Sequence, residues 1–232
     1  MKIKQVLEDL LPTHWDGKES VLILKDAHYQ WRGMEWWGWF FEWSALSILM
    51  PTIGGGPGPF IGQTQFDYQY RNKIWDFKAT AHNGRDNCPR VFLNSRDNTR
   101  KCIETYGSYG AIIAEGNVQY DDNGRFRKWH NNLKGGESAD WLAHKKEGSI
   151  PRVRKSAFDL TGISVIQFKS LDELDEAIEK KIVKVQKVKH TLANGTEKYY
   201  FKYILHKGRA QKYGLLQRPK AQVNILHRRK AM

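Results

Sequence analysis

The order of hydrophobic and polar positions divides the chain into helical and extended segments. Apolar residues at helical spacing predict a short amphipathic helix at 2–11 and a long, aromatic-rich helix from Tyr29 to Leu49 that stops at Pro51. The remaining predicted helices are 94–106, 138–146 and 171–181, the last capped by Ser170, and the remaining predicted single strands are 110–120 and 161–169. This order favours an α/β (α+β) fold with a mixed central β-sheet flanked by helices.

The segment from Gln65 to Ala81 predicts a β-hairpin. Two alternating, aromatic-rich runs, 65–70 and 73–80, are separated by two residues, as in a two-residue turn. The preceding Gly- and Pro-rich stretch at 53–62 is predicted to be a loop, and it lacks the Gly-Lys-Ser/Thr ending of a phosphate-binding P-loop.

Charge is distributed unevenly along the chain. The 232 residues carry 38 Lys and Arg against 25 Asp and Glu, which gives a net charge of +13. Fifteen of the basic residues and one acid lie at 180–232, so residues 1–179 are nearly neutral. The basic segment also holds tyrosines and a second predicted hairpin, 182–189 with 198–205, which turns near Asn194-Gly195. An ordered basic surface of this kind predicts a polyanionic partner such as nucleic acid.

Composition narrows the class of protein further. No uncharged apolar run is long enough to predict a transmembrane helix. The first residues, MKIKQVLEDLL, contain acids and no small-residue cleavage site, so they do not predict a secretory signal, and an intracellular location is expected. Two cysteines, Cys88 and Cys102, provide neither a disulfide framework nor a four-cysteine zinc site.

Three charged residues are predicted to converge on the first hairpin. Asp76 and Lys78 lie two residues apart on one strand, so both side chains leave the same face of the sheet. Asp67 comes from the paired strand. Charges brought together and partly dehydrated cost several kcal/mol unless they are compensated. A divalent cation would compensate them, so this hairpin predicts a metal site.

The long aromatic helix contributes two further acids, Glu35 and Glu42. They are separated by seven residues, which is two helical turns, so they are predicted to share one face. Because a helix this apolar is mostly buried, both glutamates are expected to have partners.

Together, Gly33-Met34-Glu35, Asp67 and Asp76-Phe77-Lys78 resemble the PD-(D/E)xK nuclease superfamily, and specifically its type II restriction endonucleases. The resemblance extends over roughly residues 29–120 as a pattern of elements. One departure is Phe66, which stands where members of the family often have a proline before the first acid.

The resemblance implies both a fold and a site. It implies a restriction-endonuclease-like core at 1–179, with a basic C-terminal β-hairpin extension at 180–232 as the DNA-binding subregion of the same domain. Its implied cofactor is Mg²⁺, with one or two ions per site left open. The implied metal ligands are Asp67, Asp76, the main-chain carbonyl of Phe77 and Glu35, with Glu42 as the second choice for the helix acid. Lys78 is implied to orient or activate the attacking water and to stabilise the transition-state charge.

Two groups of residues are predicted to contact DNA. The polar stretch after the catalytic strand is rich in Asn and Arg, which make bidentate contacts to adenine and guanine. Its predicted contacts are His82, Asn83, Arg85, Asn87, Arg90, Asn94 and Arg96. The basic segment is predicted to bind the phosphate backbone through Lys184, Lys187, Lys202, Arg209 and Lys212.

These observations predict a Mg²⁺-dependent, sequence-specific endonuclease that hydrolyses phosphodiester bonds of double-stranded DNA. The resemblance further implies a homodimer, a cytoplasmic prokaryotic location and a cognate DNA methyltransferase as functional companion. Two alternatives stay open: a structure-selective or repair nuclease such as a junction resolvase, and a non-catalytic DNA-binding protein.

Overall fold

The computed structural model describes residues 2–62, 64–82, 90–137, 152–191 and 196–216, together with Leu142, Lys146 and Gly148. The helices bounded within these residues are α1 (Lys2–Leu10), α2 (Gly17–Asp26), α3 (Trp36–Ile53), α4 (Arg96–Tyr106), α5 (Arg125–Leu133), α6 (Leu171–Glu179) and α7 (Lys207–Lys212). The strands are β1 (His14–Asp16), β2 (Gly56–Pro57), β3 (Phe60–Ile61), β4 (Thr64–Gln65), β5 (Tyr68–Tyr70), β6 (Lys73–Ala81), β7 (Arg90–Ser95), β8 (Tyr109–Tyr120), β9 (Lys155–Phe168), β10 (Val183–Thr191) and β11 (Glu197–His206).

The central sheet has the strand order β1-β9-β8-β6-β5-β2. Strands β6 and β8 are parallel and are connected through β7 and α4, whereas the other neighbouring pairs are antiparallel. The predicted mixed α/β architecture is therefore confirmed. A second sheet, β10-β11-β7, and a short β3-β4 pair complete the described strands.

Two hydrophobic cores cover the two faces of the central sheet. Side chains alternate along β8, so Ile112 and Ala114 enter one core while Ala111 and Ile113 enter the other. The first core packs against α1, α2, α3 and α5, and Trp15 stacks on Phe158 in it with ring centroids 4.7 Å apart. The second core lies beneath α4, α6, β7, β10 and β11. The central sheet is therefore covered by an apolar layer on each of its faces.

Both predicted hairpins form. The first turns at Arg71 and Asn72, which adopt φ angles of 49° and 58°, as a two-residue turn compatible with strand twist requires. Helix α6 begins after Ser170, whose side chain accepts a hydrogen bond from the Glu173 amide as predicted. The turn of the second hairpin and most of the predicted helix 138–146 lie outside the described residues.

Several predicted boundaries are wrong. Helix α3 begins at Trp36 instead of Tyr29, and it continues through Pro51, because a proline near the last turn removes one hydrogen bond without ending the helix. Strand β5 starts at Tyr68 instead of Gln65, because Tyr68 is the first of its residues that pairs with β6. Helix α4 starts at Arg96, since residues 90–95 form β7 as the third strand beside β11. The predicted loop at 53–62 contributes the two-residue strands β2 and β3.

The described part of the basic C-terminal region packs on the rest of the chain. Tyr203 and Leu205 on β11 are buried in the second core together with Cys102 and Ile103 of α4. Residues 217–232 of that region lie outside the described residues. Among the described helices, none has the length and apolar character needed to cross a bilayer.

Candidate active site

Asp76 is the most deeply buried acid of the candidate site. It lies in the middle of β6, opposite Ala111 of the parallel strand β8, and only 1% of its surface is exposed. Its Oδ2 atom accepts hydrogen bonds from the Tyr109 hydroxyl at 3.0 Å and from the Asn94 amide at 3.2 Å. These neutral donors orient the carboxylate without neutralising it.

Lys78 and Asp67 converge on Asp76. The Lys78 ammonium nitrogen lies 3.5 Å from Asp76 Oδ2 and 3.9 Å from Asp67 Oδ2. Side-chain exposure falls from 26% for Lys78 to 15% for Asp67 and 1% for Asp76. The predicted convergence of these three side chains is therefore present in the structure.

The backbone of Phe77 connects the two acids. Its N–H donates to Asp67 Oδ2 at 2.6 Å, while its side chain enters the first core on the opposite face of β6. In an extended strand the N–H and C=O of one residue point to the same side. The Phe77 carbonyl therefore faces Asp67, on the side of β6 where β5 has already ended.

Glu42 approaches the same cluster from helix α3. The Tyr29 hydroxyl donates a hydrogen bond to Glu42 Oε1. Glu42 and Asp67 both line an open cavity of about 660 Å³. Glu42 is also close enough to Asp67 and Lys78 to shift the pKa of both groups.

Burial and mutual repulsion define the electrostatics of the cluster. Burial raises the pKa of Asp67 to about 8, with Asp76 and Glu42 adding to the rise and Lys78 opposing it. Burial likewise raises the pKa of Glu42, opposed by the Tyr29 hydrogen bond and Lys78. Burial lowers the pKa of Lys78, but the three carboxylates outweigh it, so the net pKa is above the ordinary value. The Lys78 ammonium is therefore close to three acidic side chains, Asp67, Asp76 and Glu42, so the negative charge of the cluster exceeds its positive charge when all three are ionised.

The donor set suits a hard cation. Mg²⁺ in proteins is commonly held by one or two carboxylates, with water and phosphate oxygens completing the shell. Asp67, Asp76 and the Phe77 carbonyl supply oxygens on one side of β6, and the Lys78 ammonium lies 3.5 Å and 3.9 Å from the two carboxylates. Within the described residues, no three His, Cys, Asp or Glu side chains are arranged as a metal site.

Glu35, the first choice for the helix acid, lies elsewhere. It is the residue before the first turn of α3, its side chain is 51% exposed, and it pairs with Lys155 at 3.6 Å. The late start of α3 explains this placement, because seven-residue spacing relates two side chains only when both lie within one helix. By position, Glu42 is the helix acid of the cluster.

Apart from His82, which is described below with Glu115, the residues predicted to read bases separate into three groups. Asn94 donates to Asp76, so it belongs to the candidate active site and not to a separate reading surface. Arg90 is exposed at the start of β7, and Arg96 pairs with Asp97 and places its guanidinium 4.8 Å from the Phe201 ring centre. Three predicted contacts lie outside the described residues: Asn83, Arg85 and Asn87.

The predicted phosphate contacts lie on one region of the second sheet and its following helix. Lys184, Lys187 and Lys202 belong to the β10–β11 hairpin. Arg209 and Lys212 are exposed on α7, where Arg209 also donates to the Lys180 carbonyl at 3.4 Å.

Sequence patterns did not reveal a second buried charge cluster on the same sheet face. Glu115 of β8, 3% exposed, accepts hydrogen bonds from the Ser164 hydroxyl and from the Lys207 ammonium, the latter at 2.9 Å. His82, at the end of β6, lies 3.8 Å from Glu115 and 3.1 Å from the Thr161 hydroxyl. These partners are up to 92 residues apart in the chain, so they come together only through the tertiary fold.

The chain was compared with protein-family models, with curated proteins and with solved structures. None of the three comparisons finds a match. The chemistry of the site therefore rests on the geometry described above.

The raised pKa of Asp67 predicts a pH dependence for the metal-free protein. Between about pH 4 and pH 8 the folded state binds more protons than the unfolded state, so the free energy of unfolding falls as pH rises. We expect Asp67→Asn to reduce this fall relative to the unsubstituted protein. Urea denaturation in EDTA across that pH range measures the difference.

The control for this measurement is Asp97→Asn, at a carboxylate whose side chain is 76% exposed. It should leave the slope of stability against pH unchanged. An Asp67→Asn profile parallel to that of the unsubstituted protein would show that Asp67 titrates normally.

Proposed function

We propose that this protein is a Mg²⁺-dependent endonuclease that hydrolyses phosphodiester bonds of double-stranded DNA, in the manner of type II restriction enzymes of the PD-(D/E)xK superfamily. The observation that supports it most is the convergence of Asp67, Asp76 and Lys78 at the edge of β6 where β5 ends. The strongly basic surface of the chain supports a polyanionic substrate.

The proposed chemistry divides among the residues of the site. When bound at Asp67, Asp76 and the Phe77 carbonyl, Mg²⁺ supplies positive charge to the phosphate and acidifies water. Lys78, whose ammonium lies 3.5 Å from Asp76 Oδ2, acts as a hydrogen-bond donor that orients the attacking water and stabilises charge on the phosphate oxygens.

The surrounding residues hold these groups in place. Tyr109 and Asn94 fix the Asp76 carboxylate, and Tyr29 fixes Glu42, which lines the same cavity as Asp67. Fixed orientation matters because displacement of a reacting group by about 1 Å can cost roughly 100-fold in rate.

The remaining parts of the proposal follow from the resemblance. A homodimer would present one site to each strand of a palindromic sequence, and a cognate methyltransferase would protect host DNA. The cell location that goes with this function is the prokaryotic cytoplasm.

Digestion of a sequenced phage genome with Mg²⁺, followed by mapping of the cut ends, tests the function. We expect discrete fragments whose ends share one short sequence, and no cleavage in EDTA. Cleavage confined to branched DNA would favour a junction resolvase instead. DNA binding without cleavage under any divalent cation would favour a non-catalytic DNA-binding protein.

A further inference from the structure

The hairpin β10–β11 extends beyond the sheet to which it belongs. The two strands pair from Val183–Leu205 out to Thr191–Glu197, but the third strand, β7, pairs with β11 no further than Lys202. The outer part, residues 187–191 and 197–201, is therefore a two-stranded ribbon without a third described strand, and we call it the ribbon arm. Five residue pairs at about 3.3 Å each give it a length of roughly 17 Å.

Both faces of the ribbon arm carry exposed cations. Directly opposed residues of antiparallel strands share a face, so Lys187, Lys189 and Tyr199 lie on one face. Glu197 shares that face, pairs with Lys189 and accepts a hydrogen bond from the Tyr199 hydroxyl. Lys198 and Tyr200 lie on the other, which continues inward to Lys202. The lysines rest against tyrosine rings on each face: Lys187 lies 4.0 Å from the Tyr199 ring centre, and Lys202 lies 5.5 Å from that of Tyr200.

The base of the ribbon arm adjoins the candidate active site. Lys202 pairs with Ser95, the residue after Asn94, which donates to Asp76. Beyond β11, Lys207 forms its buried ion pair with Glu115 of the central sheet. The base of the ribbon arm and the candidate active site are therefore neighbours on β7.

We propose that the ribbon arm enters the major groove of double-stranded DNA, with the lysines of each face directed to one of the two phosphate backbones. This inference rests on the proposed function, since it takes DNA as the ligand. A surface that lies flat on DNA needs cations on one face, whereas a ribbon between two phosphate walls needs them on both. With side chains the ribbon is about 10 Å thick, which fits a major groove about 12 Å wide but not a minor groove of about 6 Å.

Two double substitutions test the two faces separately. Lys187→Ala with Lys189→Ala removes the lysines of one face, and Lys198→Ala with Lys202→Ala removes the lysine of the other face and the half-buried lysine at the base of the arm. The control, Lys18→Ala with Lys25→Ala, removes the same charge from α2, which packs on the other side of the central sheet. Binding to a short duplex is measured by fluorescence anisotropy in EDTA over a range of salt concentrations.

We expect each ribbon-arm variant to make the slope of log K against log salt less negative by about 1 to 2, since Lys189 is shared with Glu197 and Lys202 lies at the base of the arm, and the control to leave it unchanged. A change for one face alone would show that the arm lies flat on DNA, and no change for either would show that it does not contact DNA; either result overturns the proposal. Loss of self-association in the ribbon-arm variants, measured by sedimentation without DNA, would identify the arm as a contact between copies of the chain and would also overturn it.

The groove is tested with modified DNA. A duplex containing glucosylated 5-hydroxymethylcytosine, whose sugars fill the major groove, should bind severalfold more weakly, while the minor-groove ligand distamycin should not compete. The reverse pattern would place the arm in the minor groove and overturn the proposal. Because these measurements are made in EDTA, they distinguish failure of the ribbon-arm proposal from failure to cleave DNA with Mg²⁺.

Discussion

Replacing Asp76 with Asn is expected to abolish Mg²⁺-dependent DNA cleavage, lowering the rate at least about 10³-fold. The amide keeps the shape of the carboxylate and an oxygen that can accept from Tyr109 and Asn94, but it removes the charge that would hold Mg²⁺ in the proposed mechanism. Several kcal/mol of transition-state stabilisation depend on that cation, and each 1.36 kcal/mol is tenfold in rate. Plasmid nicking and linearisation under single-turnover conditions measure the loss.

Lys78→Met should produce a loss of roughly 10²- to 10³-fold by a different route, since it removes a donor to the phosphate while keeping the aliphatic stem. In the proposed mechanism Asp76 and Lys78 act on one reaction centre, so the double variant should be little worse than Asp76→Asn alone. Asp97→Asn and Lys101→Met, both on the exposed side of α4, serve as charge-matched controls and should cleave normally.

The same variants separate catalysis from structure. Asp76→Asn should retain DNA binding in EDTA and should change the unfolding temperature little, because it removes the repulsion between Asp76 and Asp67 together with the attraction between Asp76 and Lys78. If Asp76→Asn and Lys78→Met both cut plasmid at the unsubstituted rate, these residues are not catalytic and the proposed function fails.

Breaking the buried ion pair between Glu115 and Lys207 is expected to have the largest effect on stability. Both side chains are nearly inaccessible, with exposures of 3% for Glu115 and 9% for Lys207, and 2.9 Å separates the bonded atoms. Lys207→Met leaves the buried Glu115 carboxylate with the Ser164 hydroxyl and, 3.8 Å away, His82 as neighbours, and removal of one partner from a buried ion pair typically costs about 3–5 kcal/mol. Urea denaturation at neutral pH measures the change in the free energy of unfolding.

The double variant Glu115→Met with Lys207→Met should recover most of that loss, since a buried pair replaced by apolar groups of similar volume is close to neutral. Lys180→Met, which breaks the exposed pair with Glu176, is the matched control and should cost less than about 1 kcal/mol. A loss in Lys207→Met no larger than in this control would show that the Glu115 charge reaches water.

Sequence patterns predicted a turn, a helix cap and a strand correctly where the conformation depends on neighbouring residues. The turn at Arg71-Asn72, the N-cap at Ser170 and the alternation of β8 depend on residues adjacent in the chain, and all three are present. The start of α3 was not predicted, because the aromatic residues at 29–31 fit a helical pattern although they pack outside the helix.

The candidate site was likewise predictable only where its residues are close in the sequence. Asp76 and Lys78 share a face of one strand, so their proximity follows from the period of a β-strand. The choice between Glu35 and Glu42 depends on where α3 begins and how it crosses the sheet edge, which spacing along the chain does not specify. No sequence pattern pointed to Tyr109, because its contact with Asp76 arises from the register of the parallel strands β6 and β8.

The sequence alone therefore determined the α/β class, both hairpins and the convergence of Asp76 with Lys78, since each follows from local geometry and short-range periodicity. Tertiary structure decided the rest. It placed Glu42 and not Glu35 beside Asp67, directed Asn94 to Asp76, paired Glu115 with Lys207, and left the outer β10–β11 hairpin beyond the end of β7. The physical reason is that these features depend on strand register and helix placement, which are set by how the two hydrophobic cores pack on the central sheet.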